Sequence, residues 1–347
     1  MNRKTLYQTL GVTASTMLLL GHIAAKAEVW GIKSLANNNA PSSSFPADLF
    51  HFAEDGSEFQ TVAPITVGGS QIDADGLAIN NQGTLFAFEI SNGTSRLLTL
   101  DPATAIGTPV GPFLNNLAIR GAIIAMSGQL LVVDATSNQL LEVSVTTGEV
   151  IGSQVTLMTN GVPYTLSDNG VCDIAQSPDG TFFMTDLNNI FKLDVTSGAL
   201  TLLYTDNAPN ESIGPNAICG FTFSKNSADP NRMFAYNVNG PDDIYTYDYD
   251  KGFARALLYP NIIPSFNSGR GDLAAQICPQ LKINLSGPQQ VTLSWTTNAA
   301  SYVLQCTACT SPAVWNTVSN STGIVDAQFS VAVTTTNSPQ FFRLQPQ

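Results

Sequence analysis

Asp75-Gly76-Leu77-Ala78-Ile79, followed by Leu85-Phe86-Ala87-Phe88-Glu89, is the stretch from which the fold is read. It is a short apolar run, a turn ending at Gly83, and a second apolar run closed by an acid. The pattern returns as Arg120-Gly121-Ala122-Ile123-Ile124 with Leu130-Leu131-Val132-Val133-Asp134, and as Cys172-Asp173-Ile174-Ala175 with Phe182-Phe183-Met184-Thr185-Asp186. A fourth copy, Cys219-Gly220-Phe221-Thr222-Phe223 with Met233-Phe234-Ala235-Tyr236-Asn237, has a longer turn through Lys225–Pro230. Counted from Gly76, Gly121 and Asp173, the turn glycine (Gly83, Gly128, Gly180) lies seven residues on, and the closing acid thirteen. Two constant offsets in three copies mark an internal repeat, and a repeat decides the fold before any local reading does.

Each copy continues into an alternating strand, a turn and another strand. Ile190-Phe191-Lys192-Leu193-Asp194, Ser197-Gly198 and Leu202-Leu203-Tyr204 form the clearest example. Leu140–Val145, Ile244–Asp248 and Leu97–Asp101 begin the others. Period-2 runs joined by turn chemistry are hairpins. Two runs and a hairpin make four strands in about 50 residues, the signature of a β-propeller blade. A fifth inner strand, Gly271-Asp272-Leu273-Ala274-Ala275, has no strands after it, whereas Val29–Lys33, Asp48–Phe52 and Phe59–Val67 have no inner strand before them. Pairing the two sets closes the ring and removes its open edge. The expectation is an all-β chain with a five-bladed propeller over residues 28–278, a sixth, irregular blade being the alternative count.

The sequence D-G-L-A, then G-x-L-[FY], then a closing Leu97-Leu98-Thr99-Leu100-Asp101-Pro102-Ala103-Thr104 resembles the NHL-like and related secreted bacterial propellers of unassigned function, over residues 70–278. The resemblance implies a fold and no particular activity.

After Pro279 the composition turns to Thr, Ser, Val and Gln, with alternating runs at Leu281–Leu285, Gln290–Trp295, Tyr302–Gln305, Val314–Val318, Gln328–Val333 and Gln340–Leu344. Six short strands over residues 279–347 predict a fibronectin-III or Ig-like sandwich with Trp295 and Trp315 as core aromatics. The runs Val291–Trp295, Tyr302–Gln305, Trp315–Val318 and Phe341–Leu344 look like the modules that end many exported bacterial surface proteins, which implies a spacer or an anchoring and sorting element. Pro279-Gln280 alone connects the two parts, too short for a flexible tether.

The N-terminus carries Arg3 and Lys4, an apolar stretch around Met17–Leu20, and Ala25-Lys26-Ala27 before Glu28. These features predict a signal peptide over residues 1–27, cut after Ala27, and a secreted, periplasmic or cell-surface product. Thr13, Ser15, Thr16 and His22 interrupt the run before it reaches the ~20 apolar residues of a membrane span, and no transmembrane segment is expected in the mature chain. Cleavage removes three basic residues and no acid, taking the formal net charge from −12 to −15. Such a surface repels nucleic acid.

Histidine is nearly absent: His22 leaves with the signal peptide and His51 sits alone on an outer strand. No Ser-His-Asp or Cys-His relay can be assembled around it. No nucleophile elbow, P-loop, HExxH or dinucleotide fingerprint occurs. The acids are the remaining candidates. Asp75, Asp173 and Asp272 enter inner strands, and Glu89, Asp134, Asp186 and Asn237 end second strands, which places all seven on one face of the ring. Such a ring of oxygens could hold a hard cation, calcium above all, or each acid could cap its own turn. Arg270-Gly271-Asp272 is the tripeptide of integrin-type recognition, but it opens an inner strand and is read as coincidence. In an oxidising compartment, Cys306 and Cys309 would form a small-loop disulfide, and Cys172 and Cys219, at equivalent positions of neighbouring inner strands, would pair. Cys278 is then left over. The leading reading is an exported, non-enzymatic binding or surface protein whose partner is an extracellular ligand, a protein or a glycan. The alternative is a divalent-cation-dependent hydrolase, lactonase or lyase that uses the acidic mouth.

Overall fold

The computed structural model describes residues 28–34, 47–167, 171–207, 209–210, 214–215, 217–224, 229–238, 242–263, 270–276, 279–287, 289–300, 302–308, 314–325, 328–334 and 340–346. The signal-peptide reading, Cys278 and Cys309 lie outside them. The chain divides into two compact units, Lys26–Cys278 and Pro279–Gln347.

Among the described residues the first unit contains five blade sheets, four of them four-stranded and antiparallel; the fifth, in blade III, has the same four antiparallel strands with Met158–Thr159 and Val162–Pro163 added at its outer edge, the former parallel to its neighbour. Blade I consists of Asp73–Ile79, Leu85–Ser91, Thr94–Leu100 and Gly107–Pro109. Blade II is Ile119–Ile124, Leu130–Asp134, Gln139–Val143 and Val150–Thr156; blade III is Cys172–Gln176, Phe182–Asp186, Asn189–Leu193 and Ala199–Thr205. Blade IV is Ile218–Phe223, Arg232–Asn237, Asp242–Asp248 and Ala254–Ile263. Blade V joins the two ends of the unit: its inner strand is Arg270–Ala275, and Glu28–Ser34, Ala47–Ala53 and Phe59–Pro64 follow outward. The inner strand of every blade packs against the inner strands of both neighbours, so the ring is closed and has five blades.

The repeat has a local cause. Gly83, Gly128 and Gly180 have φ of 84°, 90° and 96°. Their amides donate to the carbonyls of Asn80, Ala125 and Ser177, making one turn three times over. An L side chain is disfavoured at such angles, so the spacing of seven is the spacing of a turn.

Apolar side chains from facing blades fill the layers between them. Between V and I lie Ile32, Leu49, Leu77, Leu85 and Leu98. Phe86, Phe88, Ile119, Val132 and Leu141 fill the layer between I and II. Between III and IV are Phe183, Ile190, Phe221 and Tyr247, and between IV and V are Phe50, Phe52, Phe234 and Tyr236.

The unit Pro279–Gln347 holds a four-stranded sheet in the order Lys282–Gly287, Gln290–Thr296, Gln328–Thr334, Gly323–Val325, and a three-stranded sheet, Asn316–Thr317, Tyr302–Thr307, Phe341–Pro346. Val291, Leu293, Trp295, Leu304 and Val331 are among its buried side chains, with the Trp295 ring 5.5 Å from that of Phe329. Trp315 is only half-buried and lies under the Arg343 guanidinium, 4.3 Å from the ring centroid, so it is not the second core aromatic that the sequence suggested.

Candidate functional site

The strand register brings the seven polar candidates to one end of the ring. Glu89 pairs with Ala74, Asp134 with Ile119, Asp186 with Cys172 and Asn237 with Ile218, each opposite the start of its inner strand. What they do there differs from blade to blade.

Three of the four that end second strands are tied to their own blade. Asp134, fully buried, accepts from the backbone amides of Ala118 at 2.7 Å, Thr136 at 3.1 Å and Ser137 at 2.9 Å. Asp186 accepts from the Tyr164 hydroxyl at 2.5 Å and from the amide and hydroxyl of Ser167, clamping the segment that leads into blade III. Burial and this contact with Asp186 push the Tyr164 phenol far above its ordinary value. Glu89 takes Nε and Nη2 of Arg96 on the adjacent strand, and that guanidinium lies 4.3 Å from the centre of the Phe113 ring. Asn237 is fully buried, with neither amide atom within ordinary hydrogen-bond distance of a partner and the Tyr247 side chain facing it.

The axis itself is built from glycine and aspartate. In blades II and IV a β-bulge falls where Gly121 and Gly220 sit. A Cβ on Gly121 would stand 2.6 Å from the Cα of Asp173, and one on Gly220 would stand 2.6 Å from the carbonyl carbon of Asp272. Contacts that short leave no room for alanine. In blades III and V the inner strands run without a bulge, and aspartates face the gap. Asp173 Oδ2 accepts from the Phe221 amide of blade IV, and Asp272 Oδ2 from the Leu77 amide of blade I, both at 2.6 Å. Asp173 Oδ1 also accepts from its neighbour Ile174 at 2.6 Å. The two carboxyl groups face each other within hydrogen-bonding reach, and burial drives both well above the ordinary carboxylate range. The rise of Asp272 is increased by Asp173 and then by Asp75.

Asp75 is buried on blade I, with Oδ2 3.5 Å from Nη1 of Arg120 on blade II. Arg120 is nine-tenths buried, and its Nε and Nη1 have no hydrogen-bond partner. Polar side chains complete the remaining junctions, and the sequence pattern had not singled them out. The Ser95 hydroxyl accepts from Ile119 N and donates to the Leu117 carbonyl, Gln176 Oε1 accepts from Met126 N, Thr222 Oγ1 accepts from Ala275 N, and Gln276 Nε2 donates to the carbonyls of Asn80 and Asn81. Each is a singleton on its blade, so no periodicity could have revealed it.

Cys172 and Cys219 are buried free thiols, and the bridge expected between them is not formed. Equivalent positions on successive blades face different layers. Cys219 lies in the layer between IV and V and donates to the Tyr236 carbonyl at 3.4 Å, whereas Cys172 sits beside Asp186 of its own blade. Burial pushes both thiols up, so neither is a ready thiolate nucleophile. Cys306 is free, and its expected partner Cys309 lies outside the described residues. His51 is half-buried, 3.9 Å from Glu28, with its ring tilted against that of Trp30 at 4.9 Å between centroids. Asp272 is fully buried, so the Arg270-Gly271-Asp272 tripeptide presents no free carboxylate.

Among the described residues no three His, Cys, Asp or Glu side chains are grouped to hold a metal ion. Farther along the inner strands lies an apolar hollow with a volume of about 10 Å³, lined by residues that include Ala78, Ile123, Ile174, Thr222, Leu273 and Ala275. That is below the ~300 Å³ at which ligand pockets begin.

No family model matches the chain, and no curated protein does. Solved structures similar to it include TolB from Acinetobacter baumannii, 15% identical with a TM-score of 0.42, the match covering 79% of this chain and 61% of TolB. A protein of unknown function from Bacteroides thetaiotaomicron is 12% identical with a TM-score of 0.43, covering 77% and 73%. Virginiamycin B lyase from Staphylococcus aureus is 12% identical with a TM-score of 0.35, covering 87% and 99%. The chain thus spans about three fifths of the length of TolB.

Proposed function

We propose that this chain is an exported, non-enzymatic binding protein of the NHL-like propeller type, with residues 279–347 as a fibronectin-III or Ig-like spacer or anchor and an extracellular protein or glycan as the partner. The observation that carries the reading is the use already made of the acids. Asp134 and Asp186 hold backbone and hydroxyl donors of their own blades, Glu89 holds Arg96, and Asp173 and Asp272 hold the amides of neighbouring blades. A general acid or base must reach a substrate proton from a cleft, and these groups are turned inward onto the scaffold. Histidine poverty points the same way, since His51 is the one histidine among the described residues and its ring packs against Trp30.

The test is turnover by the purified chain from Glu28 onward on a panel of lactones, glycans and phosphoesters. No rate above buffer is expected. A rate that disappears in Asp75→Asn or Asn237→Ala, with the fold intact by circular dichroism, would overturn the proposal.

A further inference from the structure

We propose that Asp173 and Asp272 share one proton across the propeller axis, and that this proton closes the ring as a pH-sensitive clasp. Both carboxyls are fully buried, and each spends Oδ2 on the amide of the next blade, III to IV and V to I. The remaining oxygen of Asp272, Oδ1, receives no hydrogen bond from any N–H or O–H donor. Among the described residues neither carboxyl is ion-paired, and Arg120 of the same level is directed at Asp75. Two carboxylates in contact, without a cation, cannot both stay ionised in a dry interior. A single proton on Asp272 Oδ1, donated to Asp173, satisfies the orphan oxygen and removes one charge. Asp173 is the acceptor because two backbone amides, Ile174 and Phe221, already favour its charged form.

The charged and titratable groups around the pair come from every inner strand described at this level. Asp75 and Arg120 approach from blades I and II, Cys172 from blade III, and Cys219 from blade IV with Asp242 behind it. Burial pushes both thiols above their ordinary value.

Because the folded ring binds a proton that the unfolded chain releases in the ordinary carboxylate range, the stabilisation is fully present below that range. It is lost as pH rises through the raised value of the pair. The opened clasp leaves two repelling charges at two of the five blade junctions.

The experiment is thermal unfolding of the full chain from pH 5 to 9, wild type beside Asp272→Asn. The asparagine keeps an acceptor for Leu77 and a donor for Asp173 but has no proton to lose. The wild-type Tm should fall, relative to the variant, by about 3 °C per pH unit until the pair is ionised and then run parallel to it. Parallel curves throughout would overturn the clasp. If the variant does not fold, infrared spectroscopy of the wild type decides the matter. A protonated-carboxyl C=O stretch at neutral pH that disappears on alkalinisation supports the clasp, and its absence at neutral pH overturns it. Cys172→Ala and Cys219→Ala should leave the pH profile unchanged, and a profile flattened by either would assign it to a thiol instead.

Discussion

At the scale of single residues, the axis is decided by what has no side chain. Gly121 and Gly220 lie against the backbone of Asp173 and Asp272 at Cβ distances of 2.6 Å. Gly220→Ala should therefore cost about 3 kcal/mol, the range of overpacking in a core that cannot yield. Gly83→Ala, with φ of 84° and nothing within 4 Å, should cost about 1 kcal/mol from backbone strain alone. Urea denaturation of the two variants checks the order, and equal losses would mean that the axis is looser than described. The sequence made the glycine spacing visible but not the reason for Asp173 and Asp272. Glycine and aspartate alternate at the same inner-strand position, a pattern that reads as a degenerate repeat until the amides of the next blade are seen to need an acceptor. Arg120 escaped for a related reason: it occupies a position filled by Asp75 in one blade and by a cysteine in two others, so no repeat marks it.

The blade, as an element, was legible because its turn and pleat impose fixed offsets, and three copies kept them. Less legible was the work of the closing acids, since one residue type at one blade position serves different partners. Asp186→Ala removes the acceptor of Tyr164 and Ser167 and leaves their donors unpaired, which should cost about 3 kcal/mol and release the segment leading into blade III. Glu89→Ala breaks a pair that is partly open to solvent, with side chains 12% and 22% exposed, and should cost about 1 kcal/mol or less. Hydrogen exchange distinguishes the two: accelerated amides around residues 164–167 in Asp186→Ala, and little change in Glu89→Ala. Losses of equal size would mean that the acids act alike. In blade V, Phe52 is fully buried with its ring 5.7 Å from Phe234 and 5.6 Å from Tyr259. Phe52→Ala should cost about 4 kcal/mol, more than any substitution on the exposed faces of the outer strands.

For the molecule as a whole, the ring is closed by its own two ends: Glu28–Ser34 lies between Arg270–Ala275 and Ala47–Ala53. Deleting residues 28–34 should leave the inner strand of blade V without its outward partner and expose an unpaired edge that aggregates. Stopping the chain after residue 278 removes no strand of any blade, so the propeller should keep its β-sheet circular dichroism. Loss of that signal would show that the ring needs the second unit. The sequence pointed to an acidic face, and the charge balance of −12 is real, yet the face does not follow from the count. Asp134, Asp186, Asp173 and Asp272 are buried and accept hydrogen bonds from the scaffold, and neither feature can be read from composition. The most direct test of this view is calorimetry of calcium into the purified chain from Glu28 onward at neutral pH. A structural role for the acids predicts no saturable heat, whereas a stoichiometric calcium site abolished by Asp75→Asn or Asp173→Asn would contradict it.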